Sequence, residues 1–150
     1  MTYFSIEKML HSEKCAHFTN EEKEKVRWAY NLAHDLHAIK DRLDNKPYIE
    51  HIDRSVKLYL NETLNSEEEC KSRYLIALIL HDCIEDNDVG LHSIIEKGFD
   101  INIIIDVLWM SKPTKRVINQ VMKLEKTYPA IFDKLKSVGF LEIYGIINKH

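Results

Sequence analysis

Two neighbouring ionisable residues, His81 and Asp82, stand at the polar end of an apolar run, within the stretch LILHDCIEDND at positions 78–88. Imidazole nitrogen and carboxylate oxygen both suit borderline divalent metals, so this dipeptide could contribute two ligands to one cation. Glu85 and Asp86 follow one helical turn after His81 and Asp82, respectively. This spacing would bring the acidic pair over the same cavity as the two ligands.

A third ligand for such a site would have to come from another helix. His51 is the best candidate, because it falls early in a helix predicted from about Tyr48 to Leu60, whose other face is apolar. The alternative is that the acidic cluster is only a helix end that meets solvent, since a His-Asp dipeptide also occurs by chance. On these residues alone, both interpretations stay open.

The elements that must position these residues are predicted to be helices. Four glycines and three prolines in 150 residues leave few breaks, and apolar residues recur mostly at spacings of three and four. A capping box formed by Thr19 and Glu22 predicts the start of a first helix, which should stop near Asp44. A second capping box, Ser66 with Glu69, predicts the start of the helix that carries the His-Asp dipeptide.

The last third of the chain is predicted to hold shorter helices. One is expected around Leu91 to Lys97 and another from Ile101 to Met110, while Pro113 and Pro129 divide the remaining sequence. We interpret a run of basic residues as a solubilising helix face rather than a rim that faces phosphate. These residues are Lys112, Lys115, Arg116, Lys123 and Lys126. Both tryptophans are expected in the core.

The overall composition is typical of one soluble, intracellular domain. With 150 residues, 45% of them hydrophobic, the chain can bury a single core, and we expect one domain over residues 1–150. A net charge of −3 lacks the basic excess of a non-specific nucleic-acid binder, so no nucleic-acid partner is expected. Three cysteines without a Cys-x-x-Cys pair indicate a reducing, cytoplasmic setting. The sequence shows neither a signal peptide nor a membrane-spanning apolar run, so no membrane partner is expected.

Three stretches of the sequence, taken together, resemble a known family. They are HAIKDRLDNKPYIEHI at 37–52, ALILHDCIEDND at 77–88 and MSKP at 110–113. In order and spacing they resemble the HD-superfamily hydrolase domain of Rel/Spo-type stringent-response proteins and of their small stand-alone alarmone hydrolases. The resemblance spans about residues 29–113. It implies an all-α fold made of a single HD-type helical domain.

The resemblance also implies a role for each candidate residue. By this resemblance, three residues are ligands for a divalent metal, usually Mn²⁺: His51, His81 and Asp82. Glu85 and Asp86 become the pair that positions or deprotonates the attacking water, and Arg42 matches a basic residue that holds the substrate near its phosphates. The implied enzyme hydrolyses a phosphate or pyrophosphate group of a nucleotide, and the alarmone (p)ppGpp is the leading small-molecule substrate.

The sequence departs from the family pattern at three places. Leu43 stands where family members commonly carry a second basic residue, which favours an HD phosphohydrolase that acts on another nucleotide. The pair Phe99-Asp100 replaces a Phe-Gly pair of the family. The fourth ligand of the family is an aspartate in a late helix, and this chain ends at GIINKH, about where that aspartate would be approaching. Such a short end favours a catalytically impaired nucleotide-binding or regulatory module.

Overall fold

Every regular element that the structure describes is helical. The computed structural model describes residues 6–37, 53, 54, 56, 59 and 71–143. The prediction of an all-α fold is therefore confirmed for this part of the chain. The chain divides into two compact units, Met1–Leu80 and His81–His150. A single HD-type domain over residues 1–150 stays a prediction.

The first unit is built from short and long helices. It contains α1 (Ile6–Leu10), a 3₁₀ helix (Glu13–Cys15), α2 (Asn20–His37) and the first part of α3 (Ser72–Asp86). Four residues between α2 and α3 are also helical, in agreement with the helix predicted there: Asp53, Arg54, Val56 and Tyr59. The predicted stop near Asp44 and the capping box of Ser66 with Glu69 lie outside the described residues.

The start of α2 follows from local sequence. The peptide N–H of Thr19 donates to Glu22 Oε1 at 3.0 Å, and the Glu22 N–H donates to Thr19 Oγ1 at 3.1 Å, so the first capping box is confirmed. Val26 and Ala29 lie on the buried stripe of this helix. The core assignment of Trp28 is wrong: the residue is 45% exposed, because at about 100° per residue its side chain points roughly 200° away from that of Val26.

A prediction about stability follows from the contacts of Glu22. Its Oε2 accepts a hydrogen bond from Ser72 Oγ at 2.5 Å, and this bond, together with the Thr19 N–H, lowers the pKa of Glu22. We expect Glu22→Ala to lower the free energy of unfolding at neutral pH by about 1 kcal/mol, because an N-terminal cap and a second hydrogen bond are lost. A lowered folded-state pKa means that this contribution is present above the ordinary glutamate pKa and is lost as the pH falls through the folded-state value.

Urea unfolding of the wild type and the variant, at neutral pH and at about pH 3, measures this contribution. Glu21→Ala is the control, since the Glu21 side chain is 79% exposed and forms an ion pair with Lys25 on the surface of the same helix. Two results would contradict the role given to the hydrogen bonds of Glu22. One is an equal decrease in the free energy of unfolding for the two variants at neutral pH. The other is a decrease for Glu22→Ala that is as large in acid as at neutral pH.

The second unit contains the end of α3 and all later helices. These are α4 (Gly90–Glu96), α5 (Ile101–Met110), α6 (Lys115–Thr127), α7 (Pro129–Ser137) and α8 (Phe140–Ile143). Helix α4 packs against α5 and α6, α6 packs against α7, and α7 packs against α8. The two helices predicted around 91–97 and over 101–110 are confirmed. None of the helices described in either unit is long and apolar enough to cross a bilayer.

Local signals explain where the helices of the second unit begin. Asp100 caps α5 by accepting hydrogen bonds from two peptide N–H groups of its first turn, and Thr114 caps α6 through the N–H of Val117. The five basic residues named above are all exposed, as predicted. The core assignment of Trp109 is wrong: it stands in the last turn of α5, where its ring meets Phe140 edge to face and 47% of the residue is exposed.

Candidate metal centre

The candidate site lies on the last two turns of α3, within the second unit. Helix α3 is apolar and buried along most of its length, and in the second unit Cys83 and Ile84 are both buried. His81, Asp82 and Glu85 occupy positions i, i+1 and i+4, which share one side of an α-helix. Burial of the opposite side therefore directs these three polar side chains to one place.

The three side chains converge closely enough to hold one cation. Each of them offers a ligand atom, and these atoms all lie within 4.8 Å of one another. The Nε2 atom of His81 lies 3.1 Å from Oδ1 of Asp82, and these side chains are only 17% and 11% exposed, respectively. Two ligands that bind one ion at right angles, each at 2.0–2.2 Å, would be about 3.0 Å apart. We call His81, Asp82 and Glu85 the metal group.

The electrostatics of Glu85 also fit a cation. Burial raises the pKa of Glu85, and a hydrogen bond with the side chain of Asp82 raises it further, whereas the peptide N–H of Lys112 and the nearby His81 lower it. Two carboxyl groups in contact repel each other when both are ionised. A divalent cation between them removes this repulsion, and its preferred ligands include oxygens of this kind.

Side chains from α6 hold the end of α3 in place. The Gln120 side chain is 5% exposed; its Nε2 donates to the carbonyl oxygen of Ile84 at 2.8 Å, and its Oε1 accepts from the N–H of Leu91 at 2.9 Å. Arg116 donates from Nη1 to the carbonyl oxygen of Glu85 at 3.3 Å and pairs through Nε with Asp88 at 2.9 Å. Carbonyls at a helix end lack a helical partner, so these contacts stabilise the turn that carries the metal group.

The structure describes some of the predicted site residues and not others. The structure brings His81 and Asp82 together, and it places Glu85 with them in the metal group, whereas the family resemblance assigns Glu85 to the attacking water. Asp86 lies in the same last turn of α3 and is half-buried. Two predicted site residues lie outside the described residues: His51 and Arg42.

Sequence reasoning missed three residues that contact the backbone of the site. They are Ser111, Arg116 and Gln120. Ser111 falls within the MSKP stretch, which marks the segment without giving the residue a role. The sequence places Arg116 only in the exposed basic face. No sequence signal singles out Gln120, because its partners lie 29 and 36 residues away along the chain.

The geometry of the metal group is given by the positions of three side chains in the structure. The resemblance of three sequence stretches to HD-superfamily hydrolases stays a prediction. Comparisons with protein-family models, with curated proteins and with solved structures find no match to this chain.

Proposed function

We propose that the protein is a metal-dependent phosphohydrolase that releases phosphate or pyrophosphate from a nucleotide, with (p)ppGpp as the first candidate substrate. The observation that carries this proposal is the convergence of His81, Asp82 and Glu85 within 4.8 Å on one side of α3. The proposed substrate class comes from the resemblance to HD-superfamily hydrolases. His81, Asp82 and Glu85 belong to one of the sequence stretches that carry this resemblance.

The metal group would hold a divalent cation such as Mn²⁺ through one imidazole nitrogen and two carboxylate oxygens. The family resemblance implies His51 as a further ligand. When bound, such a cation lowers the pKa of a coordinated water and stabilises the negative charge that develops on phosphoryl oxygens. The residues of the chain supply the remaining functions.

We assign to Asp86 the role of general base, which accepts a proton from the attacking water. It follows Glu85 directly on the last turn of α3 and is half-buried, so its carboxylate remains within reach of solvent. A carboxylate near the attacking water can accept the proton as the new bond to phosphorus forms. Arg42, from the family resemblance, would offset the negative charge of the substrate phosphates.

The cell compartment that we propose is the cytoplasm. The sequence holds three cysteines without a Cys-x-x-Cys pair, and two of them, Cys15 and Cys83, are buried, which is typical of thiols in a reducing compartment. The proposed partner is a small nucleotide, and neither a nucleic acid nor a membrane is part of the proposal.

The experiment that tests this proposal is a substrate panel on the full chain. Metal-free protein is supplied with Mn²⁺ and incubated with guanosine and adenosine nucleotides that carry 5′- or 3′-pyrophosphate groups, and release of phosphate and pyrophosphate is measured. We expect release that depends on Mn²⁺. Nucleotide binding without release, with Mn²⁺ bound, would contradict the enzyme and establish a nucleotide-binding module instead.

Asp86→Asn separates catalysis from metal binding in the same assay. We expect turnover to fall by at least about 100-fold, because general-base catalysis typically contributes that much, while Mn²⁺ affinity stays within about twofold. Asp133→Asn is the control, since Asp133 is an exposed acid on α7. Loss of bound Mn²⁺ in Asp86→Asn would make Asp86 a metal ligand and contradict its proposed role.

A further inference from the structure

The connection between α5 and α6 contacts the part of α3 that carries the metal group. Ser111 is 5% exposed, and its Oγ lies 3.0 Å from the carbonyl oxygen of His81 and 2.7 Å from that of Val107. The peptide group of the next residue, Lys112, lies near the carboxyl group of Glu85 and lowers its pKa. Two consecutive residues of one connection therefore lie at the first and the last residue of the metal group.

The Ser111 hydroxyl joins two helices at one point. Its two acceptors are the carbonyl of Val107, in the last turns of α5, and the carbonyl of His81, in α3. A hydroxyl carries a single hydrogen, so it donates to one of these oxygens at a time, and both lie within hydrogen-bond distance. A polar group buried to this degree requires such a partner, and this fixes the end of α5 against the turn that begins at His81.

The backbone of this turn carries the ligands of the metal group. The ligand atoms of His81, Asp82 and Glu85 lie within 4.8 Å of one another, and this convergence requires that the backbone of the turn stays in place. Ordering the ligands opposes metal binding unless the protein has already restricted them. The hydrogen bond of Ser111 to the His81 carbonyl supplies such a restriction at the start of the turn.

We propose that Ser111 is a positioning residue for metal binding: its hydroxyl holds the α5–α6 connection against the carbonyl of His81, and this contact fixes the turn of α3 from which His81, Asp82 and Glu85 converge. This inference rests on the proposed function, since it concerns the same metal group. It adds to the site a residue that contacts no cation itself.

The test compares Ser111→Ala with Ser111→Thr, which keeps the hydroxyl. Mn²⁺ affinity is measured by calorimetric titration of the full chain. We expect Ser111→Ala to weaken Mn²⁺ binding by about 10-fold, as is common when a group that orients a ligand is lost, and Ser111→Thr to recover binding to within about threefold of the wild type. Ser137→Ala is the matched control, because Ser137 Oγ donates to the carbonyl of Lys134 within α7.

A second readout does not require a metal. In the metal-free protein, Ser111→Ala is expected to speed amide hydrogen exchange of Glu85 and Lys112 several-fold, whereas Ser137→Ala leaves it unchanged. If wild-type protein binds no Mn²⁺, the proposed function fails, and the exchange data still decide whether Ser111 holds the connection. Mn²⁺ affinity and exchange rates equal to those of the wild type would overturn the inference.

Should Ser111→Ala fail to fold, Ser111→Cys replaces the hydroxyl by a somewhat larger thiol, which is a weaker donor, and the same two readouts apply. We expect weaker Mn²⁺ binding and faster exchange in this variant as well. Wild-type values of both quantities in a folded Ser111→Cys protein would overturn the inference in the same way.

Discussion

Replacing Asp82 by alanine is expected to weaken Mn²⁺ binding by at least about 100-fold and to remove turnover with it. Asp82 is 7% exposed, lies 3.1 Å from His81 and hydrogen-bonds to Glu85, so it is the member of the metal group that contacts both others. Loss of a group that merely orients a ligand already costs on the order of 10- to 100-fold in affinity, and loss of a ligand should cost more.

The Asp82→Ala protein should nevertheless stay folded. Removing this carboxylate relieves its repulsion with Glu85, and this gain offsets part of the stability that is lost with the contacts of Asp82. Calorimetric Mn²⁺ titration together with thermal unfolding of the metal-free protein separates the two effects. Asp133→Asn is the control, since Asp133 is an exposed acid on α7. Equal Mn²⁺ affinity in Asp82→Ala and the wild type would contradict the assignment.

Gly90→Ala is expected to destabilise the protein by at least about 3 kcal/mol, which is the upper end of the usual range for overpacking or beyond it. A Cβ atom added to Gly90, the first residue of α4, would lie 2.1 Å from the carbonyl oxygen and 2.7 Å from the carbonyl carbon of Cys83. Both are backbone atoms of α3, so no side-chain rotation can relieve the overlap. The turn of α3 that carries Asp82 would have to shift, and we expect Mn²⁺ binding to weaken as well.

Chemical unfolding measures this cost, and a second glycine gives the control. Gly98 has a positive φ of 88°, but a Cβ atom added there would meet no atom within 4 Å. Gly98→Ala should therefore cost only the ordinary penalty of a left-handed alanine, about 1–2 kcal/mol. A Gly90→Ala protein as stable as Gly98→Ala would show that α3 and α4 approach each other less closely than the structure has them.

The parts of the fold that the sequence predicts are those governed by neighbours in the chain. The Thr19 and Glu22 capping box marks the start of α2, and the helix predicted from Ile101 to Met110 is observed with these limits, ending shortly before Pro113. The core prediction fails for both tryptophans because hydrophobicity alone does not show which side of a helix meets the core. That information comes from tertiary packing.

In the candidate site, too, the sequence predicts what depends on neighbours in the chain and not what depends on tertiary contacts. The four-residue spacing from His81 to Glu85 predicts that the two side chains meet on one face of a helix, and they do. Whether Glu85 binds a metal or handles water depends on where its carboxylate points. The peptide group of Lys112, which lies near this carboxyl group and lowers its pKa, is 27 residues later in the chain, and no local pattern reveals such a neighbour.

The most direct test of the metal group is a Mn²⁺ titration followed by amide NMR spectra of the full chain. Paramagnetic Mn²⁺ broadens the signals of nuclei close to it, so the residues that lose intensity first mark the binding site. We expect that, below one equivalent of Mn²⁺, the signals of residues 81–86 and of Lys112 broaden first, and that His81→Ala prevents this. Broadening that begins at exposed acids such as Glu21 or Asp133, or no selective broadening at all, would contradict it.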